Sequence, residues 1–277
     1  MATVIAVSGG FRTTVGGFRV SMRSPLAASL AALVAAAIWF HLARRARTVA
    51  ADLEAAWQAI ERHASRLIGI VALVSAILAA TFATRSAAGA DASGYLSQAA
   101  MWSSASLFDR QALFPYSGDG WLETPLGWTP QGDYRAPTYP PGLPLLMAIP
   151  HAVAGVAGAN SIVVASAGIA VWATGMLAGG AAGVVASILI AFSPVFLYQS
   201  FQPMSDVPVT AAWMLCFLML ARGRTAWWAG MACAVAILIR PNLAPLAIVP
   251  FFVANNRLAF TLPVIVAGAF LAFMQWL

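Results

Sequence analysis

Three ionisable residues stand where apolar sequence gives way: Asp91, Asp206 and Arg240. A carboxylate can take a proton from a hydroxyl, and a guanidinium, permanently charged and fork-shaped, can hold phosphate oxygens. Asp206 is the only acidic residue between positions 136 and 277. Ionisable groups at membrane depth cost roughly 2.5–3.5 kcal/mol at the bilayer centre on insertion scales, so each one is a candidate for function. Each also has a plain structural reading. Asp206 precedes Val207-Pro208 and could cap a helix. Arg240, before Pro241, could be an interface anchor whose head snorkels to water. Asp91 could be an ordinary loop acid. Convergence of all three on one face would favour a site over three separate accidents.

The elements that must carry them are membrane helices. Of 277 residues, 61% are hydrophobic and 9% charged, whereas a soluble domain carries about 25% charged residues. The mean hydropathy of +0.82 agrees. A soluble enzyme, a disordered chain and a disulfide scaffold are excluded, and the apolar runs are too continuous for the alternating strands of an outer-membrane barrel. The expected fold is all-α: a polytopic transmembrane helix bundle, multi-pass in the plasma (inner) membrane, with the lipid bilayer as its first partner. All 15 basic residues are Arg and the net charge is +6. They gather at the ends of apolar runs without alternating with aromatics, so they read as topology signals and not as a nucleic-acid surface. Cys216 and Cys233 lie inside apolar runs and read as small core residues. The three histidines are scattered, and no cluster of metal ligands is present.

Residues 1–66 read as an N-terminal part: a Gly/Ser/Thr-rich start, an uncleaved apolar helix over 25–43, and an amphipathic cytoplasmic stretch over 46–66. Met22 is an equally good start of translation. Residues 67–277 form the transmembrane core, with crossings expected at 67–84, 160–178, 181–200, 207–222, 226–240 and 258–277 and a short, Pro-punctuated seventh at 242–256. Between the first two lies a long loop, 85–141, with five of the nine acids and many aromatics; a loop of that length is usually functional. It is expected to hold short interfacial helices. Five Arg over 44–66 and the pair Arg222 and Arg224 set those segments on the cytoplasmic side. The loop then faces outward, and Asp91, Asp206 and Arg240 share that outer face. This count leaves no crossing for 142–157, which must dip in and return or lie in the interface.

The wording around these residues adds a resemblance. Gly89-Ala90-Asp91-Ala92-Ser93-Gly94-Tyr95 resembles the opening of the first outer loop of GT-C glycosyltransferases, in the protein-mannosyltransferase and aminoarabinose-transferase branch. Tyr139-Pro140-Pro141-Gly142 is similar to that branch's segment at the loop's end. Ser193-Pro194 through Tyr198, followed by Met204-Ser205-Asp206, is similar to its second acidic site, and Arg240-Pro241 falls where members carry a basic residue on the outer side. The four elements keep the family's order over about 67–257. Ala92 stands where many members have a second acid, which argues against a two-carboxylate metal site. Family members usually continue for several more helices, so the chain is expected to be a fragment or a short relative.

The resemblance implies an integral-membrane glycosyltransferase that moves a sugar from a polyprenyl-phosphate donor to an acceptor of unknown class at the outer face, with inversion. Asp91 would be the catalytic general base or orienter of the acceptor hydroxyl. Arg240 would hold the donor phosphate, Tyr95 and Tyr139 would bind sugar, and Asp206 would orient hydroxyls or assist a divalent ion. The aromatics have an alternative role as an interfacial belt. A different class stays open: a transporter or a noncatalytic polyprenyl-lipid-binding subunit, for which intramembrane charge and broken helices would also be fitting.

Overall fold

The computed structural model describes residues 11–15, 18–22, 25–46, 49–87, 89–112, 115, 118 and 120–276. Arg47 and Asp119, both counted in the charge argument, lie outside them. The chain forms two compact units, Met1–Ala59 and Ile60–Leu277. In the first, β1 (Phe11–Val15) and β2 (Phe18–Met22) pair antiparallel, and α1 (Pro25–Ala46) is the expected N-terminal helix. The strand pair was not anticipated from the Gly/Ser/Thr-rich composition.

The boundary between the units falls within α2 (Val49–Phe82), a single helix of 34 residues. The amphipathic stretch expected over 46–66 and the expected first crossing thus share one continuous helix. Nothing between Val49 and Phe82 breaks it, since neither Pro nor a turn-forming cluster interrupts the sequence. The chain is helical in the main, and among the described residues three helices are long and apolar enough to cross a membrane: α2, α4 (Gly142–Ala178) and α10 (Arg257–Trp276).

The long loop holds short helices, as expected, and a small sheet that was not expected. It opens with α3 (Gly89–Ser103), has a 3₁₀ turn at Gly120–Glu123, and adds a small antiparallel sheet. The strands β3 (Asp109–Arg110), β4 (Trp128–Gln131) and β5 (Tyr134–Pro137) run in the order β3-β5-β4. Gly132, with φ of 62°, makes the two-residue hairpin turn between β4 and β5, a geometry that favours glycine. Pro130 sits on the edge strand, where its missing N–H costs no ladder bond. Across β3 and β5, Arg135 pairs with Asp109 at 2.5 Å.

In the second unit, contacts mark the two ends of the bundle. At one end, Glu61 Oε2 accepts the backbone N–H of Ala181 at 2.5 Å, beside the turn from α4 into α5 (Gly180–Ala191). At the other, the Thr84 N–H donates to Phe201 O at 2.8 Å, and Asn160 Nδ2 donates to Thr84 O at 2.7 Å. The second end also holds α3 and the start of α4. Helix α4 is broken at Ala154 and Gly155, the latter at φ 58° and ψ −141°, a conformation almost confined to glycine. The chain reverses there: a Cβ on Gly158 would strike the Pro150 carbonyl, although eight residues of straight helix span about 12 Å. The stretch 142–157 therefore leaves and re-enters the same end of the bundle.

The remaining expected crossings differ in detail. The expected helix 181–200 is bent by 64° between α5 and α6 (Pro194–Ser200), where Ser193-Pro194 interrupts it. The helices α7 (Asp206–Ala221) and α8 (Ala226–Ile239) have 16 and 14 residues, fewer than the roughly 20 that a full crossing takes. Asp206 and Pro208 fix the start of α7, the left-handed Gly223 turns the chain into α8, and Pro241 ends it. Pro241–Ala247 then forms a 3₁₀ turn leading into α9 (Ile248–Val253) and α10. Gly230 meets the Phe260 backbone, so α8 and α10 start at the same end and run side by side. Cys216 and Cys233 are free and fully buried between neighbouring helices, in keeping with a packing role.

Gly142 lies against the backbone of Leu238 and Ile239, leaving no room for a Cβ. Gly142→Ala should therefore destabilise the fold by about 1–3 kcal/mol, the usual cost of overpacking. Thermal unfolding in detergent, compared with Gly69→Ala where the space is open, checks this; equal midpoints would show that the contact yields.

Candidate functional site

The five residues singled out above meet at the Thr84 end of the bundle, although they come from α3, the loop exit, α7 and the end of α8. Asp91 is in the first turn of α3. The Tyr139 hydroxyl donates to its Oδ1 at 2.7 Å. The Tyr139 and Tyr95 rings lie 5.0 Å apart, tilted by 48°. The buried Tyr95 hydroxyl donates to Ser205 Oγ at 3.2 Å, and Arg240 Nε donates to the same oxygen at 2.9 Å. Arg240 Nη1 then pairs with Asp206 Oδ1 at 3.0 Å. A continuous path of contacts thus runs from Asp91 to Asp206.

Local sequence explains the placement. Tyr139 enters a slot whose walls are glycines: a Cβ on Gly94 or on Gly127 would overlap its ring. Gly127 has φ of 87°, a conformation that side chains resist. Pro140-Pro141 then stiffens the exit into α4. Arg240 is the last residue before Pro241, with φ of −140°, so it leaves the helical path and turns toward α7.

Two plain readings from the sequence are corrected. Asp206 is the first helical residue and not the cap; Ser205 holds the cap position, with its own side chain engaged by Tyr95 and Arg240. In the first turn the Asp206 carboxylate still faces a favourable helix dipole. Arg240 is no free interfacial anchor either, since it is ion-paired and its side chain is only one-third exposed. Ser205 is the residue that sequence reasoning missed as a participant. Its only signal was its place beside Asp206.

The electrostatics keep both tyrosines neutral. Burial raises the Tyr95 phenol above its ordinary value. Burial, then the hydrogen bond to Asp91 and its charge, push Tyr139 up to about 12 from an ordinary 10.0. The neutral phenol's contribution to stability is therefore present below pH 10 and lost as pH rises through about 12. In an alkaline absorbance titration, the step removed by Tyr139→Phe should lie near pH 12, and Asp91→Asn should move it toward 10. A Tyr139 step already at 10 in the unaltered protein would mean that the hydroxyl is not held by Asp91.

The arrangement leaves specific valences open. Tyr139 takes Oδ1 of the exposed Asp91, and no described residue hydrogen-bonds Oδ2. Arg240 spends Nε and Nη1 within the cluster, leaving Nη2. Beside the cluster lies a cavity of about 310 Å³ that includes Tyr139, Pro140, Pro141 and Pro241 in its lining, with Leu271 and Met274 of α10. Asp91, Asp206 and Arg240 are not among the residues that line it. Among the described residues no group of three His, Cys, Asp or Glu side chains could hold a metal ion. Compared with family models, curated proteins and solved structures, the chain matches none.

Proposed function

We propose that the chain is an integral-membrane glycosyltransferase, or the site-bearing part of one, that transfers a sugar from a polyprenyl-phosphate donor to an acceptor hydroxyl at the outer face of the membrane. The observation that carries the reading is the meeting of Asp91, Tyr139, Tyr95, Ser205, Arg240 and Asp206 in one contact path at one end of the bundle. A lipid-linked donor keeps its tail in the bilayer and its phosphate and sugar at the surface, where such an end would lie.

In this reading Asp91 Oδ2 takes the proton of the acceptor hydroxyl while the hydroxyl oxygen bonds to the anomeric carbon. The bond from that carbon to the phosphate oxygen breaks, and polyprenyl phosphate leaves with the electron pair. Attack from the face opposite the leaving group inverts the anomeric centre. Tyr139, neutral at working pH, fixes the carboxylate through Oδ1. Arg240 meets the phosphate through its free nitrogen, and Asp206 with Ser205 sets the guanidinium plane. Asp206, spent on this pairing, orients the Arg instead of the sugar.

Release of free polyprenyl phosphate from a panel of polyprenyl-phosphate-linked hexoses and pentoses, in membranes containing the chain, tests the reading without knowledge of the acceptor. Saturable binding with no release would instead support the lipid-binding subunit. The orientation has its own test. Cys216 and Cys233 are buried, so single cysteines at Gln131, in the exposed β4–β5 hairpin, and at Thr225, in the α7–α8 turn, can be compared. An impermeant thiol reagent added outside intact cells should label the first and spare the second. The reverse pattern would put the site on the cytoplasmic side.

A further inference from the structure

The opposite end of the bundle carries a second site. Between α4, α7 and α8 lies a cavity of about 380 Å³, lined by Trp172, Leu218, Met219 and Trp228 with Arg222 and Arg224. The α7–α8 turn brings both arginines to its lining. Gly223 adopts φ of 63°, its N–H bonds to Leu220 O at 3.0 Å, and the Arg224 N–H bonds to Met219 O at 2.9 Å. This closure satisfies carbonyls at the end of α7 and fixes two Arg residues, two positions apart, in a tight turn.

Neither Arg has a described acidic partner. Among the described residues Arg135 pairs with Asp109 and Arg240 with Asp206. Asp206, the sole acid of 136–277, is at the far end of α7. Two positive charges thus stand above apolar walls. Trp172 is 38% exposed and Trp228 59% exposed, amphipathic rings of the kind that sit at headgroup level. A free anion would use the charges and ignore the walls, and a neutral lipid the reverse. A molecule with a phosphate at one end and an acyl chain at the other uses both.

We infer that this cavity binds an anionic phospholipid, its phosphate held by Arg222 and Arg224 and its upper acyl chain against Trp172, Leu218, Met219 and Trp228. The inference rests on the membrane placement proposed above and is independent of sugar transfer, because the cavity shares no residue with the Asp91 cluster. Basic pockets between membrane helices are suited to such headgroups, each Arg adding to the attraction.

The test uses the full chain in a mild nonionic detergent and three separate probes: dioctanoyl phosphatidylglycerol, dioctanoyl phosphatidylcholine and inorganic phosphate. Phosphatidylglycerol should bind saturably and raise the unfolding midpoint by at least about 5 °C at saturation, while the other two leave it unmoved. Arg222→Gln/Arg224→Gln should weaken phosphatidylglycerol binding roughly thirtyfold. Equal shifts with phosphatidylcholine would overturn the proposal by removing the role of charge. Equal shifts with inorganic phosphate would overturn it by removing the role of the acyl chain, as would undiminished affinity in the double variant. If that variant misfolds, the three-probe comparison on the unaltered chain still decides. A chain that stays soluble without detergent would instead defeat the membrane placement.

Discussion

Asp91→Asn should reduce sugar transfer by about 10²–10⁴-fold, the span that a positioned general base contributes. The change removes one proton-accepting group and little else. Asn keeps the size of Asp, and its carbonyl oxygen can still accept the Tyr139 hydroxyl that Asp91 Oδ1 accepts at 2.7 Å. Donor binding and the unfolding midpoint should therefore change little, and the loss should fall on turnover. Release of polyprenyl phosphate at saturating donor measures that loss directly. Undiminished turnover would end the general-base role and leave Asp91 as a surface carboxylate tied to Tyr139.

Arg240→Ala should instead weaken donor binding by roughly 10–150-fold, as expected for loss of a hydrogen bond to a charged group. Two consequences have to be separated. The substitution removes the group assigned to the phosphate, and it also strands Asp206, whose partner lies 3.0 Å away, and takes a donor from Ser205. Arg240→Ala/Asp206→Asn relieves the stranded charge without restoring a phosphate ligand. Recovery of thermal stability without recovery of donor affinity is the expected result for the double variant. Recovery of both would show that Arg240 serves the fold, as one half of an ion pair, and does not meet the donor.

These substitutions depend on features that were unequally visible in the sequence. Apolar run length and the near absence of charge determine that the chain is helical, because a long run of Ala, Val, Leu and Ile without turn residues has no better way to satisfy its backbone. The same reasoning marked Asp91, Asp206 and Arg240 as costly where they stand. It also required 142–157 to begin and end on one side, from Arg placement alone. The reversal at Ala154-Gly155 meets that requirement. Local breaks were partly legible too, since Ser193-Pro194 and Arg240-Pro241 each interrupt a helix at a proline.

What the sequence left open were relations between distant residues. No periodicity announces that Arg240 pairs with Asp206 across 34 positions, or that Tyr95 reaches Ser205 across 110. Those contacts exist because α7 begins at the end where α8 finishes, and because a glycine slot admits the Tyr139 ring against α3. The three-stranded sheet in the long loop was equally hidden. Its strands are two to four residues long, too short for alternation to register, and they are stabilised by cross-strand partners such as Asp109 and Arg135. Sequence determines which residues cannot rest comfortably in an apolar bundle. Only the packing of helices end to end decides which of them meet, because the distance between two side chains depends on the whole path of chain between them.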